Sequence, residues 1–357
     1  MTVDDFLKQP GAWLGTAEDS GIVVSSRLRL ARNLKEAAFP GWAGEQECDR
    51  IWKELQPVLQ ALTRMAPGFA AGMSDLDELD RQVLFERHLI SREQSEKGRG
   101  SGLVASADET QAIMVNEEDH LRMQVITAGL NLKETWARID ELDSQIEKSF
   151  AYAFSARLGY LTACPTNVGT GMRASVMLHV PGLVLMNQIN PIVKGVSKIG
   201  LAVRGLWGEG TEAVGNMFQI SNQISLGEKE ENIIANLEQI VLEIVNHEKN
   251  ARAQLMEKRE AILRDHVGRA YGILANAHIL SSKEALDLLS GLNLGIELGI
   301  LNKVDRKVIN ELLLMTQPGH LQKAEGKKLK PKDRDRARAD LIRTRLAAVS
   351  GKNGLKK

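Results

Sequence analysis

The stretch Cys164-Pro-Thr-Asn-Val-Gly-Thr-Gly-Met-Arg-Ala-Ser175 constrains this chain more than any other. Pro165 fixes one backbone angle, while Gly169 and Gly171 permit conformations closed to other residues. These residues predict a tight loop after a short strand-like run at Tyr160 and Leu161. The loop holds a thiol at its start, with amides that can face an anion. Arg173 then adds a permanent charge with a planar donor fork suited to phosphate or carboxylate. Taken alone, the same residues also describe an inert buried cysteine in a turn beside a surface arginine.

The rest of the chain decides between these readings. It has 357 residues, enough for a large domain and a smaller companion. Its 46 basic and 46 acidic residues cancel, so no global field points to nucleic acid or a membrane surface. No apolar run approaches the roughly 18–20 residues of a membrane span. The start, Met-Thr-Val-Asp-Asp-Phe, lacks the features of a secretory signal. Cys48 and Cys164 form neither a metal-binding spacing nor a disulfide framework. The expectation is a reduced, cytoplasmic protein.

Residues 1–20 are read as an arm anchored by Phe6 and Trp13. Ile22 to Arg32 is strand-like, so Arg27 and Arg29, two apart, face one side and can grip one ligand. They can equally be solvated. A helix is expected over 45–65, a strand over Val83–Ile90 carrying His88, and a mobile loop over 91–101. A hairpin around Asp108-Glu-Thr-Gln leads into Asn116-Glu-Glu-Asp-His-Leu-Arg122, an ionisable run relieved by cations or simply solvated. Helix 131–150, a buried strand from Ala174 to Val184 and helix 186–199 follow. A strand from Leu201 then places Arg204, Glu209 and Glu212 at a glycine-rich turn. Met217 to Ile220 is a further strand, and residues 228–266 are helical. Ser281 to Glu284 has the spacing of a capping box, and further helices are expected over 304–315 and 332–348. The fold class is α+β: a mainly antiparallel sheet flanked by helices (21–255), then an all-helical C-terminal domain (256–357).

Arginine forks facing carboxylates suit phosphoryl transfer, which needs positioning and charge neutralisation more than covalent chemistry. Walker A spacing and the protein-kinase motif set are absent. Carboxylates opposite such a site suggest a cationic acceptor. A guanidinium fits, oriented by two carboxylates, one of which takes its proton.

Four motifs, in order, resemble the ATP:guanido phosphotransferases (creatine and arginine kinases): Asn116 to Arg122, Cys164 to Thr170, Arg173-Ala-Ser175 and Arg204-Gly-Leu-Trp-Gly-Glu209. The Ser-Ser-Arg-x-Arg motif begins at Ser25, without the helical domain that metabolite kinases of this family carry before it. Arg334-Asp-Arg-Ala-Arg-Ala339, Glu86 to Ser91, Ser221 to Ile224 and Leu314 to Gly319 resemble the bacterial protein arginine kinase branch. The resemblance implies Glu118 as catalytic base, Glu209 as second guanidinium-holding carboxylate and Cys164 as the thiol contacting the guanidinium. It implies ATP and Mg2+, with Glu117 holding the metal's hydration shell. The nucleotide would lie against Ser25, Ser26, Arg27, Leu28, Arg29, His88, Arg122, Arg173, Ala174, Ser175, Val176 and Met177. Arg204, Gly205, Leu206, Trp207, Gly208 and Glu209 would complete its pocket.

On a helix, Arg334 and Arg338 share a face with Asp335 beside them. That is either a solvated basic face or, as the resemblance implies, a phosphoarginine pocket. Protein substrates, a McsA-like activator, a ClpC-type protease and a homodimer or larger homo-oligomer are the implied partners. Two rivals remain open: a kinase for a small free guanidine, and a non-catalytic adaptor.

Overall fold

The structure is a computed structural model, and it describes residues 1–15, 21–206 and 214–353. Among them the strands are β1 (Val23–Arg32), β2 (Gly68–Gly72), β3 (Gly102–Ser106), β4 (Gln111–Val115), β5 (Leu121–Ala128), β6 (Phe154–Ser155), β7 (Gly159–Tyr160), β8 (Met172–His179), β9 (Leu201–Gly205) and β10 (Met217–Asn222). Eight form one sheet in the order β2-β3-β4-β5-β1-β8-β10-β9, every neighbouring pair antiparallel, and β6-β7 is a separate hairpin.

The helices before the C-terminal region are α1 (Val3–Phe6), α2 (Glu45–Gln60), α3 (Glu78–Glu86), α4 (Arg92–Ser95), α5 (Leu132–Glu147), α6 (Pro181–Leu185), α7 (Ile189–Lys198) and α8 (Glu230–Lys258). The C-terminal region is helical throughout: α9 (Glu260–Asn276), α10 (Ser282–Glu297), α11 (Arg306–Met315), α12 (Pro318–Ala324) and α13 (Pro331–Asn353). The expected α+β class holds. No helix among the described residues is long and apolar enough to cross a membrane.

Strand alternation sorts the side chains. On one sheet face Leu28, Leu30, Met123, Val125, Ala174, Val176 and Ile220 pack with the apolar stripes of α2, α5 and α8. On the other face Ile126, Met177 and Leu206 join Trp13 and the C-terminal helices in a second core, which includes Leu289, Ile309 and Ile342. The C-terminal helices therefore pack against the sheet rather than hanging from it.

Several local expectations are corrected. Val83 to Ile90 is not a strand: α3 starts at Asp77, whose side chain accepts the Asp80 amide at 2.7 Å, and its buried Val83 and Leu84 sit at its end. His88 follows it with φ +61°. Within 91–101, Ser91 caps α4 by accepting the Gln94 amide, and buried Gln94 donates to Gly102 O at 2.9 Å. The strand expected to reach Val184 stops at His179, because Pro181 cannot donate to a ladder and opens α6 instead. The 228–266 helix breaks at Arg259 (φ −140°).

Candidate active site

Sheet register brings the arginines together. On β1, Arg29 lies opposite Gln124 on one side and Arg173 on the other, and Arg27 lies opposite Ser175. Ser25 lies opposite Met177, which faces Gln219 on β10, which faces Arg204 on β9. All of these share one face, and Arg122 joins it from the start of β5, opposite Ala31. A cleft of about 580 Å³ opens above them, lined by Arg27, Arg29, Arg122, Arg204, His88, Glu117 and Glu118 among others.

This face is short of negative charge. Arg27 donates to Gln219 Oε1 at 2.7 Å and Arg173 to Ser221 Oγ at 3.1 Å, both neutral acceptors. Arg29 Nε and Arg173 Nε are buried with no acceptor among the described residues. Burial, then repulsion from Arg122 and Arg173, lowers Arg27 to about 10. Burial, then Arg204 and Arg122, lowers Arg173 likewise to about 10. Arg29 is pushed down by burial and by Arg27, Arg122 and Arg173. Several half-buried guanidinium groups repelling one another suit a polyanion.

Four side chains of the expected nucleotide pocket have the opposite strand parity, as does the side-chain-less Gly205. Leu28, Ala174 and Val176 are in the main core. Ser26 Oγ donates to Gly129 O at 2.8 Å and accepts the Asn131 amide. Their side chains do not reach the cleft. Trp207, Gly208, Glu209 and Glu212 lie outside the described residues.

Two loops meet at one end of the sheet. In the first, Glu117 is buried and accepts from Arg122, from Ser91 Oγ and from the Glu118 amide. Burial alone would raise its carboxyl, but Arg122 and these hydrogen bonds outweigh it and hold it below the usual range. Glu118 is exposed at the cleft rim, and its carboxyl is raised by partial burial and by the charges of Asp119 and Glu117. In the second loop, half-buried Cys164 has its Sγ 3.0 Å from Thr166 Oγ1. Gly169 and Gly171 have φ of +115° and +67°, and a Cβ at Gly171 would lie 2.6 Å from Ala31 O, so glycine is required there.

Asp119 fastens the loops together. Its Oδ1 accepts from Asn33 Nδ2 at 2.6 Å and from the Ala163 amide at 2.7 Å. Asn33 Oδ1 in turn accepts the His120 amide at 3.0 Å. Asn33 and Gln219 were not expected as site residues, and Asp119 was read only as part of the ionisable run 116–122, because their roles depend on partners distant in sequence. For Gln219 the available signal was period-two counting from Ser221.

His88 reaches the cleft from the end of α3, edge-on to Trp13 with ring centroids 4.7 Å apart. Burial, then Arg27 and Arg29, lowers it to about 3, so it is neutral. Ser25, Arg27, His88, Ser175 and Met177, all expected at the nucleotide, line one inner recess together with Trp13, Ile126 and Gln219, which were not. Beside His88, buried Glu86 accepts the Gly319 and His320 amides and His320 Nδ1 at 2.7, 3.1 and 2.8 Å. Arg87 pairs with buried Glu109 and lies 3.3 Å from His320 Nε2. The C-terminal helices thus reach the residues adjoining the cleft wall.

No group of three or more potential metal ligands occurs among the described residues. Glu117 already uses three of its roughly four acceptor sites. That leaves one for a metal-bound water, which fits Mg2+, an ion that keeps several waters and borrows phosphate oxygens. In the C-terminal motif, Arg334 and Asp335 are half-buried. Arg338 is fully buried, donating to Thr316 O at 2.9 Å, Leu280 O at 2.7 Å and Asp335 Oδ1 at 2.7 Å. Arg338 therefore braces α13 and holds Asp335.

Residues 51–251 match the family described as ATP:guanido phosphotransferase, C-terminal catalytic domain, and residues 260–357 match the protein-arginine kinase McsB C-terminal domain. A protein-arginine kinase of Halothermothrix orenii is 46% identical over 348 residues, 97% of this chain and 99% of the relative. One of Symbiobacterium thermophilum is 47% identical over 342 residues, 94% of this chain and 96% of the relative. Among solved structures, the duplicated taurocyamine kinase of Schistosoma mansoni with bound transition state analog components superposes with a TM-score of 0.60 at 29% identity, over 68% of this chain and 35% of that one. Lombricine kinase, at 24% identity and TM-score 0.58 over 71% and 72% of the two chains, shares the fold. By these matches the chain belongs to the ATP:guanido phosphotransferase family, on its protein-arginine kinase branch.

Proposed function

We propose that this protein transfers the γ-phosphoryl group of ATP to arginine side chains of proteins. The observation that carries the reading is the half-buried arginine cluster, with buried and unpartnered Nε atoms at Arg29 and Arg173, beside the raised carboxyl of Glu118. The arginines clamp the phosphates and offset charge on the transferring group. Glu118 accepts the proton as the guanidinium nitrogen attacks phosphorus, so an N–P bond forms while the bond to the ADP oxygen breaks. A carboxyl raised toward neutrality suits that proton transfer. Glu209 and Cys164 complete the cradle for the guanidinium. Mg2+, held through water by Glu117, supplies further neutralisation of the phosphates when bound.

Incubating the protein with ATP, Mg2+ and an arginine-rich test protein, then mapping phosphosites by mass spectrometry, tests the reading. Phosphoarginine on the test protein is expected. Labelling of free arginine or another small guanidine, with no protein labelled, would move the assignment to a small-guanidine kinase.

We further propose that Arg334 and Asp335 recognise phosphoarginine, the former pairing with phosphate and the latter with the guanidinium, with Arg338 bracing Asp335. Phosphoarginine titration should show binding to the wild type and not to Asp335→Ala. Equal affinity would reduce the motif to a structural helix face. A cytoplasmic location, homo-oligomerisation, a McsA-like activator and delivery of marked proteins to a ClpC-type protease complete the proposal.

A further inference from the structure

Large apolar side chains are left in solvent beside the catalytic loops. Trp42 is 91% exposed, Phe154 59%, Ile224 63% and Leu226 48%. The antiparallel registers explain why they converge. The end of β1, the start of β5, the start of β8 and the end of β10 all lie at one end of the sheet, an edge formed by strand ends. That edge carries the loops of Glu118 and Cys164.

Each residue is displayed by a braced segment. The Trp42 and Ala43 amides donate to Phe39 O at 2.8 and 2.9 Å, closing a tight turn. Phe39 sits edge-on to His120 at 6.2 Å, and His120 Nε2 lies 3.0 Å from Ala38 O. The turn is thus fastened to the Glu118 loop, and its Gly41 lines the cleft. Phe154 packs edge-on to Tyr160 at 5.3 Å, and the Tyr160 amide donates to Gly169 O at 2.8 Å in the Cys164 loop. Between Ile224 and Leu226, Ser225 Oγ donates to Asn167 O and Val168 O of that same loop at 3.1 and 3.0 Å.

Tryptophan gains much from burial, and an isolated exposed one is unusual, whereas buried aromatic anchors dominate protein contacts. Four exposed apolar residues on segments fastened to one loop pair are placed to act on one ligand. The occupant follows from the activity, since a polypeptide delivering an arginine to Glu118 must lie across this edge. The cleft itself, lined by charge, reads only the guanidinium. We propose that Trp42, Phe154, Ile224 and Leu226 form a docking rim for the acceptor polypeptide, selecting arginines flanked by large apolar residues. This rests on the protein-arginine kinase reading above.

The test uses two synthetic peptides that differ only in the residues flanking one arginine, leucine and phenylalanine in one, serine in the other. At saturating ATP, kcat/KM for the apolar peptide should be about tenfold higher or more, the scale of one or two anchor contacts. Trp42→Ser and Ile224→Ser should each lower that ratio several-fold, with the KM for ATP unchanged, because neither side chain touches the arginine cluster. Circular dichroism of both variants checks that they fold, as exposed positions should. A wild-type ratio near one, or variants that keep the wild-type ratio, overturns the proposal. Variants that dissociate a wild-type oligomer in sedimentation without altering the ratio also overturn it and assign the patch to contact between copies. If neither peptide nor any test protein is phosphorylated, it is the kinase reading that fails.

Discussion

The Asp119 carboxylate offers a sharp test of how the site is assembled. One oxygen, Oδ1, accepts both from Asn33 Nδ2 and from the Ala163 amide, tying the Glu118 loop to the residue before Cys164. Hydrogen bonds to a charged group contribute about 1.5–3 kcal/mol each. Asp119→Ala removes both, so the tether weakens by roughly 3–6 kcal/mol. Loosening of about 1 Å between catalytic groups costs on the order of 10²-fold in turnover. Asp119→Asn keeps an acceptor at the same place, so about 1 kcal/mol per bond is lost and turnover should stay within roughly tenfold of wild type. The charge acts separately. After burial, Asp119 is the leading influence raising the Glu118 carboxyl. Removing that charge lowers the value at which Glu118 becomes a competent base, so the acid limb of the rate profile should move to lower pH in both variants. Steady-state peptide phosphorylation across about pH 5 to 9 reads both effects. Equal turnover in the Ala and Asn variants would refute the tether, and an acid limb that stays put or moves up would refute the electrostatic argument.

Three further outcomes follow from the same geometry. Glu118→Gln should lower turnover by about 10²-fold or more while nucleotide affinity is kept, and near-normal turnover would remove Glu118 as base. Glu86→Ala strips the Gly319 and His320 amides and the His320 ring of a buried acceptor, so unfolding free energy should fall by about 3 kcal/mol or more. Because Phe85 and His88 on either side line the cleft, the KM for ATP should rise as well; wild-type nucleotide affinity would mean that the junction is merely structural. His88 and His179, both held at about 3 by burial first, stay neutral in the fold while the unfolded chain protonates near 6.5. Each should therefore cost about 1.4 kcal/mol per pH unit as pH falls below 6.5, so denaturant midpoints that stay flat on acidification would contradict their burial.

What could be read from the sequence was whatever local pattern determines. The alternation Arg27, Arg29 and the glycines of the Cys164 loop declare their conformations without a partner, and the sheet face and the loop followed. Val83 to Ile90 failed because its apolar run has no period of its own. The helix signal lay upstream, at the Asp77 cap and the polar turn from Glu78 to Gln82. Leu28, Ala174 and Val176 were placed at the nucleotide because they sit between motif residues, although strand parity turns them into the core. Asn33, Asp119 and Gln219 act through partners scores of residues away, and only the fold sets those distances. Arg338 was expected to meet a ligand, but it is buried against two carbonyls and holds Asp335, partners that only the fold supplies.

The arginine cluster also explains why the C-terminal helices belong to the catalytic unit. Guanidinium groups repelling one another on a sheet face would splay outward if the surrounding backbone were free to yield. Glu117 offsets Arg122, but Arg27, Arg29 and Arg173 meet mainly neutral partners or each other, so the strain must be borne by packing. Interleaved on that face are Ile126, Met177 and Leu206, and these belong to the core completed by Trp13 and the C-terminal helices. Burying such side chains stabilises by about 1.5–3 kcal/mol each, comparable to the repulsion that a cluster of partly screened charges contributes. Glu86 and His320 add a polar clasp at the same seam. The helices therefore hold the cluster in a geometry that a polyanion can enter at once, without first reorganising the charges that are to meet it.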